Sequence, residues 1–152
     1  MEIVDFRPEL AGAFRALNEA WITTLFALEP KDEAVLGDPE GQVIARGGRI
    51  LFALDDAEAV GCCALMALPD GGFEVAKMAV ADAYKGRGLG RALMAAAVER
   101  ARAAGAPRLY LETNSGLAAA LALYRSFGFA EVTPAEPSPY ARADVCMELA
   151  LS

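Results

Sequence analysis

The sequence predicts an α/β protein of the α+β kind, with helices packed on a mixed and mostly antiparallel sheet. Three runs that read as strands, Ile50 to Leu54, Ala59 to Leu68 and Phe73 to Val80, are separated only by the turns Asp55 to Glu58 and Pro69-Asp70-Gly71-Gly72, which makes an antiparallel meander. The third run passes through a glycine-rich turn into a long Ala- and Leu-rich helical run, after which Arg108 to Thr113 starts another strand. A strand that returns to its sheet through such a helix lies parallel to the strand before it. The length, 152 residues, suits a single domain over 1–152, with no internal repeat or linker in view.

The elements follow in order. Ile3 to Phe6 is an edge strand interrupted by Asp5. From Pro8, the residues Leu10, Ala13, Phe14, Leu17 and Trp21 recur at helical spacing, so a first amphipathic helix runs to about Leu25. Pro30 breaks it, and Asp32 can cap a short second helix. Gly37, Pro39 and Gly41 signal a loop before the meander. Strict alternation in Phe73 to Val80 places Glu74, Ala76, Met78 and Val80 on one face and Phe73, Val75, Lys77 and Ala79 on the other. In the helix that follows, Leu89, Leu93, Ala97 and Ala101 form a stripe widened by Met94 and Val98, which packs on the sheet; Gly105 and Pro107 end it. Leu117, Ala120, Leu121, Tyr124 and Phe127 mark a shorter helix closed by Gly128. Phe129 to Val132 begins a strand, three prolines make a loop, and Asp144 to Leu151 is the closing strand.

Composition excludes several functions. The net charge of −7 disfavours nucleic acid, whose phosphates call for a basic face, and suits a cationic substrate or simple solubility. No apolar run is long enough to span a membrane, and the N-terminus lacks a signal peptide's basic start, so the expected location is cytoplasmic. Cys62 and Cys63 are adjacent on a strand and face opposite ways, which makes buried free thiols and no disulfide framework. Histidine is absent, which excludes Ser-His-Asp and Cys-His nucleophile systems and His-containing zinc sites; no metal is expected. Any general base is a carboxylate, tyrosine, thiolate, lysine or water.

The chemistry concentrates in Val80 to Arg91. Gly86, Gly88 and Gly90 remove Cβ at alternate positions, so the chain can turn tightly and converge its N–H groups at a helix start. Lys85, Arg87 and Arg91 add charge beside that positive dipole end, which suits a phosphate or pyrophosphate. The dinucleotide pattern Gly-x-Gly-x-x-Gly fails, because its last position is Arg91, and no nucleotide-triphosphate loop occurs. A plain strand-to-helix turn with solvated basic residues remains open at this point.

Lys85-x-x-Gly88-x-Gly90, set in Tyr-Lys-Gly-Arg-Gly-Leu-Gly-Arg-Ala-Leu-Met, resembles the Arg/Gln-x-x-Gly-x-Gly/Ala pattern of the GNAT superfamily of N-acetyltransferases, with lysine at the first position. The strand before the loop, the strand Leu109 to Thr113 and the run Leu123-Tyr124-Arg125-Ser126-Phe127-Gly128-Phe129 resemble the family in the same order, over about Phe73 to Val132. The resemblance implies a GNAT-like fold with a splayed parallel pair and about four helices. It implies acetyl-CoA as cosubstrate and a primary amine, on a small molecule or peptide, that attacks directly in a ternary complex. The backbone of Met78, Ala79 and Val80 would hold pantetheine and thioester, and Lys85, Gly86, Arg87, Gly88, Leu89, Gly90 and Arg91 the pyrophosphate. Tyr124 stands where the family has a tyrosine that protonates the departing thiolate.

Glu74 is the candidate base, its apolar company raising its pKa, against a solvated carboxylate paired with Lys77. The family's asparagine position holds Leu117, and Asn114 is expected to cap or shape the helix entry. Arg125 and Arg142 can meet phosphate or acceptor groups, against the reading in which each is solvated or ion-paired. The resemblance places acceptor selectivity at Trp21, Leu25, Phe26, Glu29, Asp32 and Glu33, with the amine left open. A covalent route through Cys62, Cys63 or Cys146 lacks an activating histidine. The rival functions are a CoA-binding or partner-binding module with little catalysis, and a binder of another phosphorylated ligand. A homodimer is left open.

Overall fold

The computed structural model describes residues 1–134 and 136–151. One seven-stranded sheet takes strands from almost the whole chain, in the order β1-β2-β3-β4-β5-β7-β6. The strands are β1 (Glu2–Asp5), β2 (Arg49–Asp55), β3 (Glu58–Ala67), β4 (Phe73–Val80), β5 (Arg108–Thr113), β6 (Ala130–Glu131) and β7 (Val145–Ala150). Every pairing is antiparallel except β4 with β5, so the mixed sheet read from the sequence is present.

Among the described residues there are five α-helices, α1 (Ala11–Leu25), α2 (Pro30–Gly37), α3 (Pro39–Gln42), α4 (Leu89–Ala103) and α5 (Ala118–Ser126). The extra one, α3, occupies the stretch expected to be a loop. Pro39 supplies the φ of a first helical turn, and the Asp38 side chain accepts from the Gly41 N–H, so the loop signals here start a single turn. Helix α2 starts at Pro30, with Glu29 as its cap and Asp32 on its first turn in a reciprocal capping box. Asp32 is therefore not the cap expected of it.

The sheet is covered on both faces. On one side Leu89, Leu93, Met94, Ala97, Val98 and Ala101 of α4 are buried against β2, β3 and β5. Cutting the fully buried Leu93 to alanine would cost about 2–5 kcal/mol. On the other side Phe14 of α1 packs with Phe52, Ile50 and Cys62, and Val35 and Leu36 of α2 join it. Cys63 belongs to the α4 side and Cys62 to the α1 side, as alternation expects.

Alternation fails in β4. Cys62 faces Ala79 and Ala64 faces Ala76, so Lys77 and Met78 together oppose Cys63 alone. This is a β-bulge, and Lys77 takes a left-handed φ of 53° to make it. The bulge exchanges the faces downstream. Met78 and Val80 join Phe73 and Val75 on the α4 side, whereas Ala79 joins the α1 side, where Lys77 reaches α2. The expected grouping of Glu74 with Met78 and Val80 is thereby corrected.

Candidate active site

Strands β4 and β5 are paired only at Phe73 with Leu109, Glu74 with Tyr110 and Val75 with Leu111. Beyond Val75 they separate, and Glu112 and Thr113 pair with β7 alone. The β4 edge from Ala76 to Val80 is left with N–H and C=O groups that face no strand, and such groups need partners. A cavity of about 520 Å³ fills the gap, lined by Glu74 to Val80 of β4, by the segment from Glu112 to Ala120, and by Tyr124. No helix of the described residues is long and apolar enough to cross a membrane.

At one end of the cavity stands Lys85, where the chain turns into α4. Gly86 and Gly88 take φ of 78° and 80°, in the left-handed region, and Gly88 is the residue from which α4 starts. A Cβ at either would meet nothing within 4 Å, so glycine is needed there for backbone shape. The first N–H groups of α4 have no intrahelical acceptor. Lys85 is exposed and pairs with Asp82 at 2.8 Å, Arg87 lies over the Tyr84 ring, and Arg91 reaches Ser126 Oγ at 3.1 Å. Gly86, Arg87, Gly88, Leu89, Gly90 and Arg91 do not line the cavity itself. They continue from its mouth, and the Leu89 side chain is buried in the core, which leaves only its backbone for a ligand.

The opposite flank is built by α1, α2 and the chain leading into β7. Trp21, Leu25 and Phe26 line the cavity there together with Tyr140 and Arg142. Behind them lies an ion network. Asp32, at 0% exposure, receives Lys77 Nζ and both terminal nitrogens of Arg142, the latter at 2.7 and 2.8 Å. Glu29 accepts from Arg142 at 3.3 Å and from the Ala141 N–H at 2.9 Å. Lys77 also donates to the Tyr140 hydroxyl at 3.0 Å and sits 4.5 Å from its ring centre. Burial alone would raise the Asp32 pKa, but the Arg142 and Lys77 hydrogen bonds outweigh it and hold the carboxyl well below the usual range. Burial lowers the Lys77 ammonium pKa, against the opposing pull of Asp32.

These contacts occupy the carboxylates of the flank expected to select the acceptor. Glu29 and Asp32 do not present free charge to an incoming amine, because Arg142 and Lys77 occupy them, and Glu33 pairs with Arg15 at 2.9 Å. The apolar part of that expectation is placed on the cavity wall: Trp21, Leu25 and Phe26.

Glu74 and Tyr124, both on the cavity wall, also have shifted pKa values. Burial, helped by the nearby Glu112 charge, pushes the Glu74 carboxyl up to about 7, against Lys31 and Lys77. Lys77 does not pair with Glu74, since its ammonium is bonded to Asp32. Burial pushes the Tyr124 phenol up to about 12, so it stays protonated at neutral pH. Its ring packs against Phe129 at 6.1 Å. The thiols of Cys62 and Cys63 are also pushed up by burial, Cys62 to about 12, so neither is a ready nucleophile. Asn114 shapes the entry to α5: its Oδ1 accepts from the Gly116 N–H and its amide donates to the Arg142 carbonyl. Among the described residues no cluster of carboxylates and thiols is arranged to hold a metal.

Sequence reasoning missed Lys77 and Tyr140. A lysine inside an apolar strand was the one visible signal, since a lysine is rarely buried unless it is paired. The partner, Asp32, lies 45 residues away, and no local pattern links the two.

The fold and site define a domain that can hold an extended ligand between two splayed parallel strands, with its anionic end at a helix start. The chain belongs to the acetyltransferase (GNAT) family, whose model matches residues 12–129. It is 40% identical over 90 residues to an IAA acetyltransferase of Azospirillum brasilense, an alignment that covers 59% of each chain. The chain spans about three-fifths or less of the length of the curated relatives it matches. Its fold is similar to a GNAT-family acetyltransferase of Staphylococcus aureus Mu50, with a TM-score of 0.89 at 17% identity and 99% of both chains covered. It is also similar to yncA of Salmonella typhimurium, solved with its cofactor acetyl-CoA, with a TM-score of 0.77 at 22% identity, covering 100% of this chain and 94% of that one.

Proposed function

We propose that residues 1–152 act as one domain that transfers the acetyl group of acetyl-CoA to a primary amine, by direct attack within a ternary complex. The observation that carries this reading is the separation of β4 from β5 beside the glycine loop of α4. The site fits such a cosubstrate: unpaired strand backbone from Ala76 to Val80 matches the amides of a pantetheine arm, and the α4 start with Lys85 and Arg87 matches a pyrophosphate. Bound there, acetyl-CoA would supply an activated acetyl thioester.

The chain's own groups then have distinct tasks. Backbone of Met78, Ala79 and Val80 orients the thioester, and Lys85 to Arg91 holds the phosphates through N–H groups and charge. Glu74, with its pKa near 7, takes a proton from the ammonium form of the acceptor, directly or through water. Tyr124, protonated throughout the working range, donates its hydroxyl hydrogen bond toward the departing sulfur. A relay through Cys62 or Cys63 is disfavoured because both thiols resist ionisation, and no histidine is present to activate Cys146.

The test is release of free CoA thiol on mixing the protein, acetyl-CoA and single amines, with the acetylated product identified by mass. Amine-dependent release supports transfer. Acetyl-CoA binding without release from a broad amine panel would favour a CoA-binding module instead.

A further inference from the structure

Resting on the transfer reading above, we infer that the acceptor is a primary monoamine whose carbon skeleton is apolar and carries no second charge remote from the amine, as opposed to a polyamine or an ω-amino acid. Two observations converge on this. The acceptor-side wall is apolar: Trp21 and Phe26 meet edge to face with ring centres 6.3 Å apart, and Leu25 stands 58% exposed beside them. Leu25 is one of few large apolar side chains that the fold leaves in solvent, and an apolar acceptor would cover it.

The second observation is the disposition of charge. Each carboxylate on this flank except one already has partners. Asp32 and Glu29 hold Lys77 and Arg142, Glu33 holds Arg15, and the two oxygens of Glu112 accept the hydroxyls of Ser138 and Tyr110. Glu74 accepts no hydrogen bond from a described residue, so a single carboxylate is free to receive a single ammonium. A second cation would face the apolar wall or the cations Lys77 and Arg142. A substrate carboxylate fares no better, because both of those cations are engaged by Asp32. Lys31, the remaining cation on this flank, lines a small adjoining recess that shares Glu74, Lys77 and Tyr140 with the main cavity but does not line the cavity itself, and Lys85 stands at the α4 end. Burying an unpaired charge is costly, so discrimination against both charged classes follows from the site as built.

The experiment compares kcat/KM for hexylamine, for the straight-chain diamine of the same length and for the straight-chain ω-amino acid of the same length, by CoA thiol release near neutral pH. The three differ only at the end remote from the reacting amine. Hexylamine should exceed the other two by about tenfold or more, and Leu25→Glu should raise the diamine relative to hexylamine by about tenfold. Equal or better turnover of the diamine or amino acid overturns the inference while leaving transfer intact. Calorimetric titration of acetyl-CoA into the same preparation separates the remaining cases. Binding with no turnover of any of the three removes the monoamine assignment, and absence of binding removes the transfer reading beneath it.

Discussion

On the α4 flank of the split strands, Lys85, Arg87 and Arg91 stand on one short segment, with Lys85 and Arg91 making exposed contacts and two glycines setting the backbone. On the α1 flank, Asp32, Lys77 and Arg142 come from three segments up to 110 residues apart, and Asp32 is wholly buried. The first arrangement is local, solvated and cheap to alter. The second is tertiary and centred on a buried carboxylate, and each charge in it depends on the others. The bulge explains why it is needed. Lys77 is a non-glycine residue in the left-handed region, a conformation that costs about 1–2 kcal/mol, and its bonds to Asp32 and Tyr140 hold it there. The α1 flank thus fixes the strand shape that places Met78 to Val80 on the cavity wall, whereas the α4 flank presents N–H groups and charge beside a shape already made.

The contrast predicts unequal responses to substitution. Asp32→Ala leaves the buried Lys77 without a counterion and Arg142 with Glu29 alone, and should cost about 3–5 kcal/mol in denaturant unfolding; a loss under about 1 kcal/mol would show the network to be ornamental. The pH dependence has a definite sign. The Asp32 pKa is depressed in the folded state, so its stabilisation is present above the ordinary carboxyl range and is lost as pH falls below about 4 toward the folded value. Acid unfolding of the wild type should therefore be steeper than that of Asp32→Asn.

Next in size, Tyr124→Phe should lower kcat about a hundredfold while acetyl-CoA affinity changes little, the pattern of a group that acts at the departing sulfur. An unchanged kcat would return Tyr124 to a packing role. Glu74 should be legible in the pH profile: its carboxyl ionises as pH rises through about 7, so kcat/KM should climb across that range. Glu74→Gln should lower the plateau and abolish that limb. The smallest effect is expected at Lys85→Ala. An exposed pair with Asp82 contributes about 0–1 kcal/mol to stability, so unfolding should barely move while acetyl-CoA binding weakens a few-fold and loses part of its salt dependence.

What the sequence showed divides along the same line. The meander, the crossover helix, its buried stripe and the glycine loop were legible because each is written in neighbouring residues: turn chemistry, helical spacing, and glycines at alternate positions. The face assignment in β4 was not, because alternation presumes an unbroken ladder and a single inserted residue reverses it. The ion pairs of Glu29, Asp32 and Glu33 were not legible because their partners, Arg142, Lys77 and Arg15, meet them only in the folded chain. Pro39 and Gly41 read as loop because a single capped turn carries the same residues as the turn it replaces.

The most direct test is calorimetric titration of acetyl-CoA into the wild type, into Gly88→Glu and into Leu25→Ser. Binding in the micromolar range should vanish or fall by about tenfold or more in Gly88→Glu, where both the left-handed backbone and the local charge are disturbed, and persist in Leu25→Ser on the other flank. Absence of binding in the wild type, or equal binding in all three, would contradict the assignment of the α4 flank to the cosubstrate.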